Sequence, residues 1–145
     1  WGGDITIGDV VLIKNPLDPS GQRILRVLAK EGDRIAYQND GFIVNGRRLH
    51  QLDMGPITEN LQRWKESYYS NDGSEYSWLI QRSTVSSEWS LEEITIPRDT
   101  LFLVCDNRQQ CLDSRWWGPV PINAVDSTLK IQLSKMDPWH DFIQF

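Results

Sequence analysis

The sequence predicts a mainly β protein. Short apolar runs recur along its 145 residues, and clusters of Asn, Asp, Gly and Pro separate them. The strongest of these turn signals are Asn39-Asp40-Gly41 and Asn45-Gly46, which follow one another closely and predict a meander of short hairpins. One stretch, residues 56–69, has helical spacing instead. A chain of this length is expected to fold as a single domain, residues 1–145.

The strands are assigned in chain order. The run at 10–13 follows Gly8-Asp9 and ends before Asn15-Pro16, and the run at 24–29 ends at the turn of residues 31–33. Runs at 35–38 and 42–44 flank the Asn-Asp-Gly turn and form a hairpin. Further strands are expected at residues 76–80, 94–96, 101–104 and 129–133.

A short amphipathic helix is expected near residues 56–69. Ile57, Leu61, Trp64 and Tyr68 recur every three or four residues, and Pro56 suits a first helical turn. Residues 83–90 are polar and predict a loop. The aromatic tail, residues 136–145, is expected to cover apolar surface, with contact to lipid or a partner as the alternative.

Composition limits the class of partner. The net charge is −5 and no basic stripe is present, which argues against nucleic acid. No apolar run approaches the ~18 residues of a transmembrane helix. Since the chain begins at Trp1 instead of Met, we expect an upstream membrane anchor in the longer protein. The seven tryptophans favour core filling over an apolar groove or rim. No cofactor or metal is expected.

Residues 105–121, called the last box below, are the most informative stretch. They read Cys-Asp-Asn-Arg-Gln-Gln-Cys-Leu-Asp-Ser-Arg-Trp-Trp-Gly-Pro-Val-Pro. This resembles the type I signal peptidase (leader peptidase) box Gly-Asp-Asn-Arg-Asp-Asn-Ser-x-Asp-Ser-Arg-x-x-Gly-x-Val-Pro. The residues in register with it that we expect to frame the loop are Asp106, Asn107, Arg108, Asp113, Ser114 and Arg115.

Three other stretches resemble the same family in the same order. Gly8 and Asp9 match a Gly-Asp box that opens a strand, and residues 25–33 match Lys-Arg-Val-Val-Gly-x-Pro-Gly-Asp at Arg26, Gly32 and Asp33. Residues 40–46 resemble its Asp-Gly…Val-Asn-Gly hairpin, one residue shorter. The resemblance implies a core of coiled antiparallel sheets, about residues 1–48 and 93–145, with a small inserted cap, about 49–92, that holds the helix.

The resemblance also implies an activity. Family members cleave secretory signal peptides at the outer, extracytoplasmic (periplasmic) face of the membrane with a serine nucleophile and a lysine base, and they bind substrate as an added strand. A lysine acts as base only when neutral, so its pKa must fall from ~10.4 toward ~7–8, which corresponds to about 4 kcal/mol. Leu25 occupies the position of that lysine, and no serine box is present in the sequence.

Two further departures fall around the same pocket. The family glycine and serine that line it correspond here to Cys105 and Cys111. We therefore expect Leu25, Cys105 and Cys111 to form a small apolar plug, in which the cysteines are either free thiols or a disulfide. Lys30, His50 and His140 are poor substitutes for the base because of their positions. Of Trp116 and Trp117, one is expected in the core and the other at the groove or rim.

Three functions fit these residues. The favoured one is a catalytically inactive relative that binds an extended apolar segment, from a signal peptide or a pilin-like or secreted protein, without cutting it. The second is an active signal peptidase with an upstream serine and an unusual base. The third is a surface interaction module that keeps only the fold.

Overall fold

The structure is a computed structural model, and it describes residues 4–109 and 111–130. These residues form mostly antiparallel β-structure, with one short α-helix and one short 3₁₀-helix. The mainly β class predicted from the sequence is confirmed. In chain order the strands are β1 (Val10–Asn15), β2 (Asp18–Lys30), β3 (Arg34–Gln38), β4 (Gly41–Val44), β5 (Arg47–Arg48), β6 (His50–Thr58), β7 (Leu61–Tyr69), β8 (Glu75–Ser83), β9 (Leu91–Thr95), β10 (Thr100–Val104), β11 (Val120–Pro121) and β12 (Val125–Leu129).

The largest sheet has five strands in the order β11-β10-β2-β1-β12. All of its pairs are antiparallel, with Val11 opposite Leu25 and Val104 opposite Arg26. β2 is long enough to continue beyond β10, which pairs with it only from Arg26 to Lys30. This overhang leaves the segment from Asp18 to Leu25 paired with β1 on one side.

The second sheet has the order β5-β4-β3-β9 and is built from tight hairpins. Asn39 and Asp40 both have positive φ, 51° and 62°, as the two-residue turn between β3 and β4 requires. Asn45 and Gly46, at 53° and 78°, repeat this turn between β4 and β5. Asn, Asp and Gly tolerate this backbone region best, so local residue choice determines both turns.

The third sheet, β6-β7-β8, corrects the sequence analysis. The helix expected over residues 56–69 is absent, and that stretch contributes to β6 and β7. Trp64, Glu66 and Tyr68 alternate along β7 and pair with Ile80, Trp78 and Tyr76 of β8. The sheet falls within the predicted inserted cap, residues 49–92, and the division into core and cap stays a prediction.

Two apolar clusters hold the sheets together. The first joins the second and third sheets to β10 and includes Phe42, Trp78 and Phe102, each at most 1% exposed. The second lies on the five-stranded sheet and includes Val11, Leu25 and Leu103. Because Phe102 and Leu103 follow one another on β10, that strand contributes to both clusters.

The end of the described chain returns to the first sheet. A single helical turn, α1 (Ser114–Trp117), precedes β11, and a 3₁₀ turn (Ile122–Ala124) leads into β12 beside β1. The last strand was predicted at residues 129–133, but it spans Val125–Leu129, and Lys130 lies beyond its end. Residues 131–133 of that prediction, and the tail at residues 136–145, lie outside the described residues.

Candidate functional site

Leu25 is placed by β2 at the centre of the second apolar cluster. Its side chain is only 1% exposed and lies with Val11, Ile13 and Val27. Alternation along the strand puts Arg23 on the same face as Leu25. The position that the family resemblance assigns to a lysine is therefore buried among aliphatic groups and holds no proton acceptor.

The two cysteines lie next to Leu25. Cys105 directly follows β10, and it forms a disulfide with Cys111, with 6.2 Å between the Cα atoms. Cys105 belongs to the same cluster as Leu25, and Cys111 packs against it. The three residues of the expected plug thus lie together, beside a cavity of about 200 Å³. The cavity is lined by Val10, Ile24, Leu25, Arg26, Cys105, Asp106, Asn107 and Cys111.

Arg23 is a neighbour of this disulfide that the sequence analysis did not single out. Its Nη2 lies 3.2 Å from the Sγ of Cys105 and also contacts the Sγ of Cys111. The residue is half-buried. No local sequence pattern marks it, because the contact depends on where the last box folds against β2.

Arg26 joins three of the predicted boxes. Its Nε and Nη2 donate to the two carboxylate oxygens of Asp106 at 3.0 and 2.7 Å, and its Nη1 donates to the Gly8 carbonyl at 2.7 Å. Arg26 belongs to the same predicted box as the turn at Gly32 and Asp33. That turn is held differently: Gly32 has a φ of 85°, and the Asp33 carboxylate accepts from the Lys30 amide.

Gly8 and Asp9 form the entry to β1. Gly8 has a φ of 93°, and a Cβ there would lie 3.2 Å from the Trp78 ring, so glycine is needed for both reasons. The Asp9 carboxylate accepts from the Thr6 amide at 2.9 Å and from Lys130 Nζ at 2.8 Å. This pair links the beginning of the described chain to its end.

Asp113 and Ser114 fix the second half of the last box. Asp113 is fully buried, caps α1, and accepts from the Cys105 amide at 2.9 Å and from the Arg115 guanidinium at 2.9 Å. Ser114 Oγ accepts from the Leu103 amide at 2.9 Å. These bonds satisfy polar groups that would otherwise be buried without partners, so they hold the geometry of the box.

Arg108 ties the last box to the third sheet. Its guanidinium donates to both carboxylate oxygens of Glu66, at 2.6 and 3.1 Å, and Glu66 also accepts from Trp78 Nε1 at 2.9 Å. Burial raises the pKa of Glu66, but the charge and hydrogen bonds of Arg108, with hydrogen bonds from Trp78 and Gln51, together hold that pKa below its ordinary value. Glu66 was missed because the sequence analysis placed it on a helix. Asn107, beside this pair, accepts from the Gln109 amide.

The other candidate bases lie elsewhere. Lys30 is exposed at the far end of β2, opposite Leu101. His50 is exposed at the start of β6, with its ring 6.5 Å from that of Tyr69. His140 lies outside the described residues. The lining of the cavity beside Leu25 includes no Lys or His side chain within the described ranges.

A larger cavity, about 370 Å³, lies on the other side of Cys111. Tyr37, Trp89 and Trp116 contribute aromatic walls to it. Trp116 is 74% exposed, whereas Trp117 packs against the second cluster. The expected division of the two tryptophans between rim and core is confirmed, although a helical turn produces it.

None of the helices in residues 4–109 and 111–130 has both the length and the apolar character to cross a membrane.

Comparison with known proteins agrees with the family resemblance of the sequence. The family profile described as "Signal peptidase, peptidase S26" matches residues 2–133. A signal peptidase I of Bacillus caldolyticus is 31% identical over 70% of this chain and 48% of its own length. A signal peptidase I of Pseudomonas aeruginosa is 28% identical over 94% of this chain and 52% of its own. The chain spans about half the length of these curated relatives.

A crystal structure of a signal peptidase I from Enterococcus faecalis V583 has a similar fold. The TM-score is 0.56 at 20% sequence identity, and the match covers 88% of this chain and 98% of that one. The four ordered boxes, the antiparallel sheets and the family profile agree. The chain belongs to the signal peptidase family, peptidase S26.

Proposed function

We propose that this protein binds an extended apolar segment of a signal peptide or secreted protein and does not cleave it. The observation that carries the proposal is Leu25, a buried aliphatic side chain at the position where the family resemblance expects the base. A hydroxyl nucleophile needs a neighbouring group that removes its proton. Leucine has no lone pair to do so.

The groups near Leu25 do not replace that base. Arg23 and Arg26 carry guanidinium groups, which stay protonated in proteins. The Asp106 carboxylate is engaged by Arg26 through two hydrogen bonds. Among the described residues, the lining of the adjacent cavity therefore offers a charged pair, the Asn107 amide, a disulfide and aliphatic groups, but no neutral amine or imidazole.

The overhang of β2 supports peptide binding. Within the described residues, the segment from Asp18 to Leu25 has no strand on the side where β10 would continue. An exposed strand edge presents unpaired backbone groups to which an extended peptide can add. Ile24 on this segment is 55% exposed and lines the cavity beside Leu25, so an apolar side chain of the peptide has a place to pack.

The proposed location is the extracytoplasmic face of a membrane. The Cys105–Cys111 disulfide supports it, because disulfides persist in oxidising compartments. Family membership supports it as well, since the resemblance implies work on secretory substrates. In this proposal, an anchor that precedes Trp1 would attach the protein to the membrane.

The alternative is an active signal peptidase. The framework of the last box favours it. The Arg26–Asp106 pair is intact, and so are the bonds that Asp113 and Ser114 accept from β10 and the residue after it, although the base position is changed. Such an enzyme would take its serine from an upstream segment and its base from a residue that the sequence does not identify.

One experiment separates the two. The full-length, membrane-inserted protein is mixed with a fluorescently labelled preprotein that has an Ala-x-Ala site, and binding and cleavage are both followed. We expect saturable binding with no processed product, while an ordinary leader peptidase used as reference cleaves. Processing at a rate like that of the reference would overturn the proposal, and absence of binding would leave only a surface module.

A further inference from the structure

We propose that Arg23 recognises a carboxylate on the peptide that lies along the overhang of β2. The inference rests on the proposed function and adds a chemical class of ligand to it. An extended peptide with an acidic side chain opposite Arg23, or with its free C-terminal carboxylate there, would bind more tightly than its neutral counterpart.

The environment of the Arg23 guanidinium leaves room for an anion. It is half-buried, and its described hydrogen bonds go to the sulfurs of Cys105 and Cys111. Disulfide sulfur is uncharged and a weak acceptor, so it does not neutralise the cation. Within residues 4–109 and 111–130, no carboxylate lies within 4.0 Å of Arg23 in an ion pair.

The nearby arginines differ from Arg23 in having carboxylate partners. Arg26 is paired with Asp106 at 2.7 Å, Arg108 with Glu66 at 2.6 Å, and Arg115 with Asp113 at 2.9 Å. The carboxylates around the last box are thus each engaged by another guanidinium. Among the described residues, Arg23 has no carboxylate partner of its own in an ion pair, which favours an anionic ligand.

The position of Arg23 on β2 places it within reach of an added strand. Arg23 lies on the overhang of β2, two residues before Leu25 and on the same face. A residue directly opposite it on an added antiparallel strand would have its Cβ about 4.5–5.5 Å from that of Arg23, and its side chain would point to the same face. A Glu or Asp at that position can reach the guanidinium, whose planar donors match a carboxylate.

The test uses four synthetic peptides of alternating Ala, Val and Ser residues that differ only in charge. Two are blocked at both ends and carry a central Glu or Gln, and two are neutral inside and end in a free carboxylate or an amide. Dissociation constants are measured by fluorescence anisotropy with the full-length protein. We expect one carboxylate peptide to bind about fivefold more tightly than its neutral partner, the effect of a partly exposed ion pair. The pair that shows the preference identifies the source of the carboxylate.

Variants at Arg23 and at a distant arginine make the result specific. Arg23→Gln should abolish the preference, Arg23→Lys should keep part of it, and Arg98→Gln, at an exposed turn, should keep all of it. The preference should also shrink as salt is raised. Circular dichroism checks that each variant is folded.

The outcomes test the role of Arg23 separately from the proposed function. Equal binding of all four peptides overturns the role of Arg23 and leaves the proposed function standing, as does a preference that survives Arg23→Gln. If none of the four peptides binds although the preprotein does, this inference fails and the proposed function stands. If neither the peptides nor the preprotein bind, both fail.

Discussion

Replacing Glu66 by Gln would remove the counter-charge of a buried guanidinium. Glu66 and Arg108 are 0% and 5% exposed at their side chains, and two hydrogen bonds of 2.6 and 3.1 Å join them. The amide of Gln keeps one acceptor for Arg108, but in either orientation its NH₂ group faces the other guanidinium nitrogen. The variant therefore retains the shape of the site and loses its charge balance.

The expected loss of stability is about 3–5 kcal/mol, because breaking one side of a buried pair leaves an uncompensated charge. A matched control is Glu93→Gln. Glu93 faces Arg34 at 3.5 Å on the surface, with side chains 48% and 49% exposed. The same chemical change there should cost at most about 1 kcal/mol. Adding Arg108→Met to Glu66→Gln should recover part of the loss, since neither charge of this pair then remains.

Urea unfolding followed by circular dichroism measures all three variants. In the wild type, the folded-state pKa of Glu66 is lowered, so its contribution is present above the unfolded-state pKa and disappears as pH falls through the folded-state value. The wild-type stability should therefore fall in acid, and Glu66→Gln should remove part of that fall. If Glu66→Gln costs no more than Glu93→Gln at neutral pH, the pair does not hold the last box as described.

Three further changes test other parts of the site. Replacing both Cys105 and Cys111 by Ala should lower the free energy of unfolding by about 2 kcal/mol, because the disulfide closes a loop with a sequence separation of 6. The wild type reduced with dithiothreitol should lose the same stability. Unchanged urea midpoints would contradict a closed disulfide. Leu25→Ala should lower the free energy of unfolding in urea by about 2–5 kcal/mol, because it leaves a cavity at a buried site. A loss below about 1 kcal/mol would mean that the side chain is not tightly packed. Ser114→Ala should leave the Leu103 amide unpaired, cost about 1–3 kcal/mol and speed hydrogen exchange of that amide; unaltered exchange would exclude the bond.

Local turn chemistry explains why the hairpins could be predicted. Asn39, Asp40 and Asn45 take positive φ in the structure, and few other residues do so readily. The strands on either side then follow from short apolar runs. The turns and their flanking strands depend on residues that are neighbours in the sequence, so they can be predicted from the sequence alone.

The prediction of a helix over residues 56–69 was wrong because a residue distant in the sequence determines the structure there. Leu61, Trp64 and Tyr68 imitate helical spacing, and the strand alternation of Trp64, Glu66 and Tyr68 is hidden by the charge at its centre. Glu66 is tolerated inside only because Arg108 pairs with it. A partner 42 positions away is invisible to a local pattern.

The site shows the same contrast between what a sequence pattern predicts and what depends on distant contacts. The sequence placed Leu25, Cys105 and Cys111 together only through the family resemblance, and the structure shows them in one cluster. Arg23 had no such signal. Its contact with the disulfide exists because β10 ends at Val104, where the chain leaves β2.

The five-stranded sheet also determines when the protein can fold. β1 and β2 lie near the start of the chain, and β10 and β12 complete their sheet only after the other two sheets have been synthesised. A nascent chain on the ribosome would thus carry the β1–β2 hairpin without its partners, a species prone to association with other chains. Such distant pairing also slows folding, to the millisecond-to-second range typical of β topologies with high contact order.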